Sequence, residues 1–448
     1  MRKVIIGGTH SGCGKTTVTC ALLQALKSRK LRTVSFKCGP DYIDPMFHEK
    51  IIGTLSHNLD SFFCDDDTLK YLLVNNSEEA DISIIEGVMG FYDGANGRGS
   101  AYSVSEITQT PAIIVVDCKG MSDSLGAVLK GFLSYRKNNI SGFIFNRLPQ
   151  KLTGLAQQIC EELGTEYFGY MPLHKEIIES RHLGLVTADE ITDIKEKMKR
   201  LGELAEKYIL IDKIIEKSES VKPSYSYNKL ERVKNAPVIA VAKDKAFCFI
   251  YRDNISFLES VGCRIKYFSP LDDEKIPEDA CGLILSGGYP ELYADKLSKN
   301  KSMLSDIYKR INDGIPTIAE CGGFMYLHRS IEDKSGNVFS MAGVLDARAY
   351  PLDRLQRFGY VTLYAKKDCL ICSEGENLKA HEFHYWDSSM CGEDFTARKS
   401  DGRSWECVNV SDSLYAGFPH IYYYSAPDKI IGFVKKCALY GGRYEESI

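Results

Sequence analysis

The stretch "GGTHSGCGKTT", Gly7 to Thr17, follows the apolar run Val4-Ile5-Ile6 and leads into apolar residues at helical spacing, Val18, Leu22, Leu23 and Leu26. A buried strand that passes through a glycine-rich loop straight into a helix admits few folds, and it reads as the opening of a parallel α/β unit. Aligned on Lys15, the loop runs Gly8, Thr9 to Cys13, Gly14, Lys15 and Thr16, one residue longer before its last glycine than the common phosphate-binding form. Glycines let backbone N–H groups converge on phosphate oxygens, Lys15 adds positive charge, and the Thr16 hydroxyl is of the type that holds Mg²⁺. The helix contributes the positive end of its dipole. The expected nucleotide contacts are Gly8, Ser11, Gly12, Gly14, Lys15, Thr16 and Thr17.

The alternation continues. "TVSFKCG", "DISIIEG", "PAIIVVD" and "ISGFIFNR" read as further strands, and each closes on polar or glycine residues: Glu86-Gly87, Asp117, Asn146-Arg147. In a doubly wound parallel sheet those ends form the ligand site. Asp41 and Asp44 lie just beyond the second strand and Glu86 at the end of the third, so Thr16, Asp41 and Glu86 are the expected Mg²⁺ ligands. Asp44 precedes Pro45 and reads equally as a helix cap, which leaves it between substrate, metal and structural roles. Arg181 and His182, in "SRHLGL", are candidates for gripping an acidic substrate or for a surface ion pair.

At 448 residues the chain exceeds one ordinary core. Residues 1–217 form the predicted nucleotide unit, 218–235 a linker that loses periodicity, and 236–448 a second α/β unit that restarts at "PVIAVAKD". With 56 basic against 60 acidic residues, the formal charge of −4 argues against nucleic acid as partner. No apolar run approaches the ~18 residues of a membrane span, and the short run at the start is not a signal peptide. Fifteen scattered cysteines read as reduced thiols of a cytoplasmic protein. Cys369 and Cys372 have CxxC spacing without a second pair to complete a zinc site.

The second unit carries "IPTIAECGGFMYL", which has the strand–tight turn–helix form of a nucleophile elbow. Cys321 at a helix N-terminus is expected to have its thiolate favoured by the dipole and by exposed N–H groups. The strand before it, "LILSGGYPELY", ends in Gly287-Gly288, and the N–H groups of Gly288 and Gly322 are candidates for an oxyanion site. His420, in "LYAGFPHIYYY", is the candidate base. "HEFHYW", His381 to Trp386, lacks the spacing of a metal motif, and its histidines read as packed beside aromatics or touching substrate.

With "GTHSGCGKTTVT", "FKCGPDYIDPMFH", "EGVMGFYDG", "RHLGL", "VAKDKAFCFIYRDN", "LSGGYPELYADKL", "AECGGFMYL", "HEFHYW" and "PHIYY" in one order, the chain resembles the cobyrinic acid a,c-diamide synthases of corrinoid biosynthesis over nearly its whole length. The resemblance implies a dethiobiotin-synthetase-like ATP domain joined to a class I glutamine amidotransferase domain. It further implies ATP- and glutamine-dependent amidation of two side-chain carboxylates of a corrin, cobyrinic acid. By the same resemblance Cys321 attacks the glutamine amide and His420 serves as base and acid, while Lys15 and Thr16 hold ATP and Mg²⁺. The wider amidotransferase pattern has Glu two places after the histidine, where this chain has Tyr422, so the group orienting His420 is left unidentified.

Nickel-sirohydrochlorin a,c-diamide synthase and cobyric acid synthase share the build and remain alternatives. A partitioning-type regulatory P-loop ATPase, or a tetrapyrrole-binding protein without catalysis, belongs to a different class. The ATPase needs neither Cys321 nor His420, and ATP hydrolysis dependent on a tetrapyrrole would exclude the binding protein. Oligomeric state is open, a homodimer being one arrangement.

Overall fold

Val4 to Ile6 have the continuous apolar character of a strand covered on both faces. They form the centre of β1 (Lys3–Gly8), followed by β2 (Thr33–Cys38), β3 (Ser56–Leu59), β4 (Ile82–Glu86), β5 (Ala112–Asp117), β6 (Ile140–Asn146) and β7 (Glu166–Met171). The computed structural model describes residues 1–95, 97–173, 194–234 and 237–445. All pairings in this first sheet are parallel, in the order β3-β2-β4-β1-β5-β6-β7. β1 is thus the central strand, and the loop after it opens beside the ends of β4 and β5. Val4, Ile6, Val18, Leu22, Ile84 and Val115 share one core, which joins β1 to the helix Lys15–Ser28.

The charged stretch after residue 193 forms the helices Ile194–Tyr208 and Ile211–Lys217. Met198, Leu201 and Ala205 turn one face into that same core. Gly202 lets the helix close on Lys15–Ser28, because a β-carbon there would meet Gln24 Cγ at 2.7 Å. Arg181 and His182 lie outside the described residues.

By its contacts the chain divides into two compact units, Met1–Tyr227 and Asn228–Ile448. Residues 218–227 are fixed to the first. Lys3 N donates to Ser218 O at 2.9 Å, Lys3 Nζ to Ser220 Oγ at 2.8 Å, and Tyr227 stacks on Tyr71 with ring centroids 3.9 Å apart.

The second unit contains β8 (Val238–Ala242), β9 (Arg264–Phe268), β10 (Gly282–Leu285), β11 (Thr317–Glu320), β12 (His328–Glu332), β13 (Val338–Ser340), β14 (Leu345–Ala365), β15 (Asn377–Ser388), β16 (Phe395–Arg398), β17 (Ser404–Cys407), β18 (Asn409–Val410), β19 (Leu414–Gly417) and β20 (His420–Ile421). One sheet has the order β18-β19-β11-β10-β8-β9 and is parallel except for β18 at its edge. The other strands form a largely antiparallel sheet, β13-β12-β14-β15-β20 with β16 and β17 attached. Its long β14–β15 ribbon changes register twice, around Gln356. The alternation of the sequence foreshadows the parallel sheet; this second sheet is an addition to it.

The short helix Gly322–Tyr326 is pressed against β10 so closely that a β-carbon on Gly323 would lie 2.1 Å from Leu285 O. The obstacle is backbone and cannot swing aside. Gly323→Ala is expected to destabilise the second unit by at least ~2 kcal/mol, as overpacking does. Differential scanning calorimetry should show one transition lowered and the other unmoved.

Candidate active sites

Strand order brings the expected phosphate loop and its carboxylates to one edge. Ile6 pairs with Glu86 across β1 and β4, and Lys37 pairs with Glu86 across β2 and β4. Gly12 and Gly14 both have left-handed backbones, at φ 82° and 100°. A β-carbon on Gly14 would come 2.0 Å from Asn146 Nδ2, whose amide donates to Cys13 O at 2.9 Å and fixes the loop from the end of β6. Lys15 Nζ reaches back to His10 O at 3.3 Å, which places the ammonium over the loop. Burial lowers its pKa, and the nearby Lys37 adds to that.

Thr16 Oγ1 donates to Glu86 Oε1 at 2.6 Å. Glu86 is fully buried and is shared with two further groups, Lys37 Nζ at 2.9 Å and His48 Nε2 at 3.2 Å. Lys37 also pairs with Asp44, and Asp41 stands 3.9 Å away. Burial acts against every charge here. Lys37 is driven up regardless, because Asp44, Glu86 and Asp41 surround it. Burial pushes Glu86 up, but Lys37 and His48 outweigh it and hold the carboxyl below its usual range. Asp44 is left raised, by burial and then by Glu86.

The two aspartates divide their roles differently from the simplest reading of the motif. Asp41 Oδ1 accepts from Ile43 N at 2.8 Å and Asp44 N at 3.2 Å, so Asp41 caps the short helix Ile43–Phe47. Asp44 faces the buried lysine. Lys37 and His48 were not singled out in the sequence. The signal for Lys37 was present, as a charged residue inside the otherwise apolar "VSFKC".

Among the described residues no group of three or more His, Cys, Asp or Glu is arranged to hold a metal ion by itself. The hydroxyl of Thr16 beside the carboxylate of Glu86 does fit Mg²⁺, which takes one or two protein oxygens and completes its shell with phosphate and water.

A second cluster forms the same way on the parallel sheet of the other unit. β11 lies between β10 and β19, with Leu285 opposite Ala319 and Glu320 opposite Gly417. Glycine 287 and Gly288 follow β10, the elbow follows β11, and His420 begins β20 just after β19. Cys321 sits at φ 49°, ψ −104°, a backbone that a non-glycine residue adopts only under strain of ~1–3 kcal/mol. Its N–H is held by Gly417 O at 2.8 Å. A β-carbon on Gly322 would meet Gly288 N at 3.0 Å, and one on Gly287 would meet His420 Cε1 at 2.5 Å. The glycines therefore bring the two candidate oxyanion segments together and admit the imidazole beside them. Glu320 Oε2 lies 3.5 Å from His420 Nδ1.

The expectation of a favoured thiolate is corrected by the structure. Cys321 is 5% exposed, and burial pushes its thiol well above the usual value. Glu291, Glu320 and Glu382 add negative charge, and the Gly322 N–H pulls the other way without offsetting them. The helix that follows has five residues, too short a dipole to win. Cys321 thus rests as a neutral thiol that needs a base. Glu291, absent from the sequence-based set, has its carboxyl pushed up to about 7 by burial.

"HEFHYW" forms part of β15. His384 stacks on Phe418 with centroids 3.9 Å apart, and its ring contacts Trp386 O at 2.6 Å and Glu382 Oε2 at 3.2 Å. His381 stands opposite His420 in the β15–β20 pair, and burial lowers its pKa to about 3, with His420 adding to the effect. Cys369 and Cys372 are free thiols, as are the other cysteines of the chain.

Comparison with known proteins joins the two clusters. Residues 4–186 match the model of a CobQ/CobB/MinD/ParA nucleotide binding domain, and residues 238–422 that of a CobB/CobQ-like glutamine amidotransferase domain. Cobyrinate a,c-diamide synthase of Caldanaerobacter subterraneus is 39% identical, over 98% of this chain and 99% of its own. That of Fusobacterium nucleatum is 38% identical over 95% and 98%, and that of Thermoplasma volcanium 37% over 99% of each. The chain belongs to the cobyrinate a,c-diamide synthase family. Both units are therefore present in these synthases as in this chain, and the partitioning-type reading, which has no use for the second unit, falls away.

Two outcomes are expected. Lys37→Met leaves buried carboxylates facing one another without their cation, and breaking such a pair destabilises by ~3–5 kcal/mol. Because carboxyl groups with raised pKa values make a fold more stable as pH falls, the difference in melting temperature from wild type should be smaller at pH 5 than at pH 8. Separately, iodoacetamide should alkylate Cys321 slowly at pH 7 and steadily faster up to pH 10, as peptide mapping by mass spectrometry would report.

Proposed function

We propose that this chain amidates the a and c side-chain carboxylates of cobyrinic acid in cobalamin biosynthesis, using ATP and the ammonia of glutamine. The reading is carried by end-to-end similarity to synthases of that name, in a chain that holds a phosphate loop and a thiol elbow. The free state of the cysteines and the use of ATP suit a cytoplasmic enzyme.

In the second unit, the Cys321 proton passes to His420 as sulfur attacks the amide carbon of glutamine. The oxyanion is received by the N–H groups of Gly288 and Gly322. His420 returns the proton to the leaving nitrogen, ammonia departs, and water then releases glutamate from the thioester and restores the thiol. A raised thiol pKa suits this sequence, because the nucleophile forms only when base and substrate are both in place.

In the first unit, a substrate carboxylate takes the γ-phosphoryl group of ATP and ADP leaves. Ammonia attacks the acyl phosphate, and inorganic phosphate leaves as the amide forms. Gly8, Ser11, Gly12, Gly14, Lys15, Thr16 and Thr17 cradle the phosphates. Thr16 and Glu86, with Asp41 near them, would hold Mg²⁺, which when bound draws charge from the transferring phosphoryl group. Asp44, Arg181 and His182 are assigned to the substrate side.

Incubation with ATP, Mg²⁺, glutamine and each candidate macrocycle, read by product mass, tests the assignment. Cobyrinic acid should gain two amides; exclusive amidation of nickel sirohydrochlorin would move the chain to that branch. Cys321→Ala should abolish turnover with glutamine and retain it with ammonium chloride. Loss of both activities in a folded variant would contradict the division of labour.

A further inference from the structure

We propose that Glu320, the residue immediately before the nucleophile, is the acid that positions His420. The proposal rests on the glutaminase reading of Cys321 and His420. In the wider amidotransferase pattern an acid two places after the histidine holds the imidazole, and in this chain that place is Tyr422. Tyr422 is fully buried with its ring edge-on to Tyr251, 5.2 Å between centroids, and a phenol carries no charge near neutral pH. The fold supplies a carboxylate from the other direction.

Glu320 is the last residue of β11 and is mostly buried. Oε1 accepts from Ile421 N at 3.0 Å, so one oxygen grips the backbone next to the histidine. Oε2 faces His420 Nδ1 at 3.5 Å. The two oxygens of one carboxylate therefore address the backbone of the next residue, Ile421, and the imidazole of His420. Among the described residues, the charged and titratable groups near the imidazole include Glu320 from β11 and His381 from β15, with the Cys321 thiol adjoining Glu320. His381 is held neutral, with its pKa lowered to about 3 by burial. Glu320 is thus the negative charge set against His420 from the strand that also carries the nucleophile.

Glu320 Oε2 lies 3.5 Å from Nδ1, beyond a formed hydrogen bond, and its charge favours the tautomer protonated on Nδ1, which leaves the lone pair on Nε2. When Cys321 gives up its proton, Nε2 takes it, and Glu320 stabilises the imidazolium without itself being protonated. The same proton leaves with ammonia, so the pair returns to its starting state in each turnover. The placement also explains why β11 ends in a glutamate after the apolar Ile318-Ala319: strand pairing with β19 carries that position towards the segment that holds the histidine.

The test uses the full chain and Glu320→Gln, which can keep the bond from Ile421 N while removing the charge. With glutamine as nitrogen source, kcat should fall by about 100-fold or more with KM for glutamine changed by less than about threefold. The acid limb of the kcat/KM profile should move to lower pH, because an imidazolium without its carboxylate loses its proton more readily. Alkylation of Cys321 should move to lower pH as well. Turnover with ammonium chloride should stay at the wild-type level, and Glu320→Asp should recover part of the glutamine-dependent rate. A Glu320→Gln variant with wild-type kcat and pH profile overturns the proposal, as does an equal loss of ammonia-dependent turnover. Should Glu320→Gln not fold, Glu320→Asp decides alone: a glutamine-dependent rate and pH profile equal to wild type overturns the assignment. If Cys321→Ala retained glutamine-dependent turnover, the glutaminase reading would fail first and this one with it. If Cys321→Ala is inactive while Glu320→Gln is not, only the positioning role falls.

Discussion

Parallel pairing makes all the strands of a sheet finish on one side, and both chemical centres of this protein follow from that constraint. In the first unit β1 is flanked by β4 and β5, so a phosphate loop, a buried glutamate and a cap from β6 meet without any long excursion of the chain. In the second, β11 is flanked by β10 and β19, and the elbow, the paired glycines and the histidine meet in the same manner. Two unrelated reactions are thus placed by one rule of sheet geometry, with loops supplying the difference.

Charge is handled in opposite ways at the two centres. Around Lys37 the acids are concentrated on a single ammonium, which holds Glu86 ionised beside it while Asp44 is left raised. Around Cys321 burial comes first, the carboxylates of Glu291, Glu320 and Glu382 add to it, and the thiol is kept protonated. A site for polyphosphate and metal gains from charges already in place, since little reorganisation is needed when the nucleotide arrives. A thiol that remained ionised would instead be open to oxidation between turnovers.

What could be read from the sequence was whatever is local. The strand–loop–helix at Gly7 to Thr17 and the elbow at Cys321 each lie within about 20 consecutive residues, so their glycines stand out in the sequence even where the contact that requires them, as Asn146 for Gly14, is distant. β3, with the polar sequence "SHNL", gives no strand pattern because its burial comes from packing at the sheet edge. The β14–β15 ribbon was also illegible: Pro351 and Gly359 sit within it, and its register shifts break any regular alternation. The partners of Lys37 and Glu320 were hidden for a different reason. Each of these two residues lies in an apolar strand where a charge reads as a solvated end, and only the order of strands reveals that its side chain faces another charge. The thiolate expectation failed because helix position can be read from the sequence whereas desolvation cannot.

The latch between the start of the chain and Ser218–Ser220 bears on how the protein is made. Its first strand is the middle of a sheet, yet the Lys3 ammonium finds Ser220 Oγ and Gln109 O only after the sheet and both following helices exist. During synthesis the leading residues must therefore wait for more than two hundred others to leave the ribosome before their last bonds close. By then the amidotransferase half has barely begun to emerge, so the nucleotide half can complete its fold before that half can mispair with it.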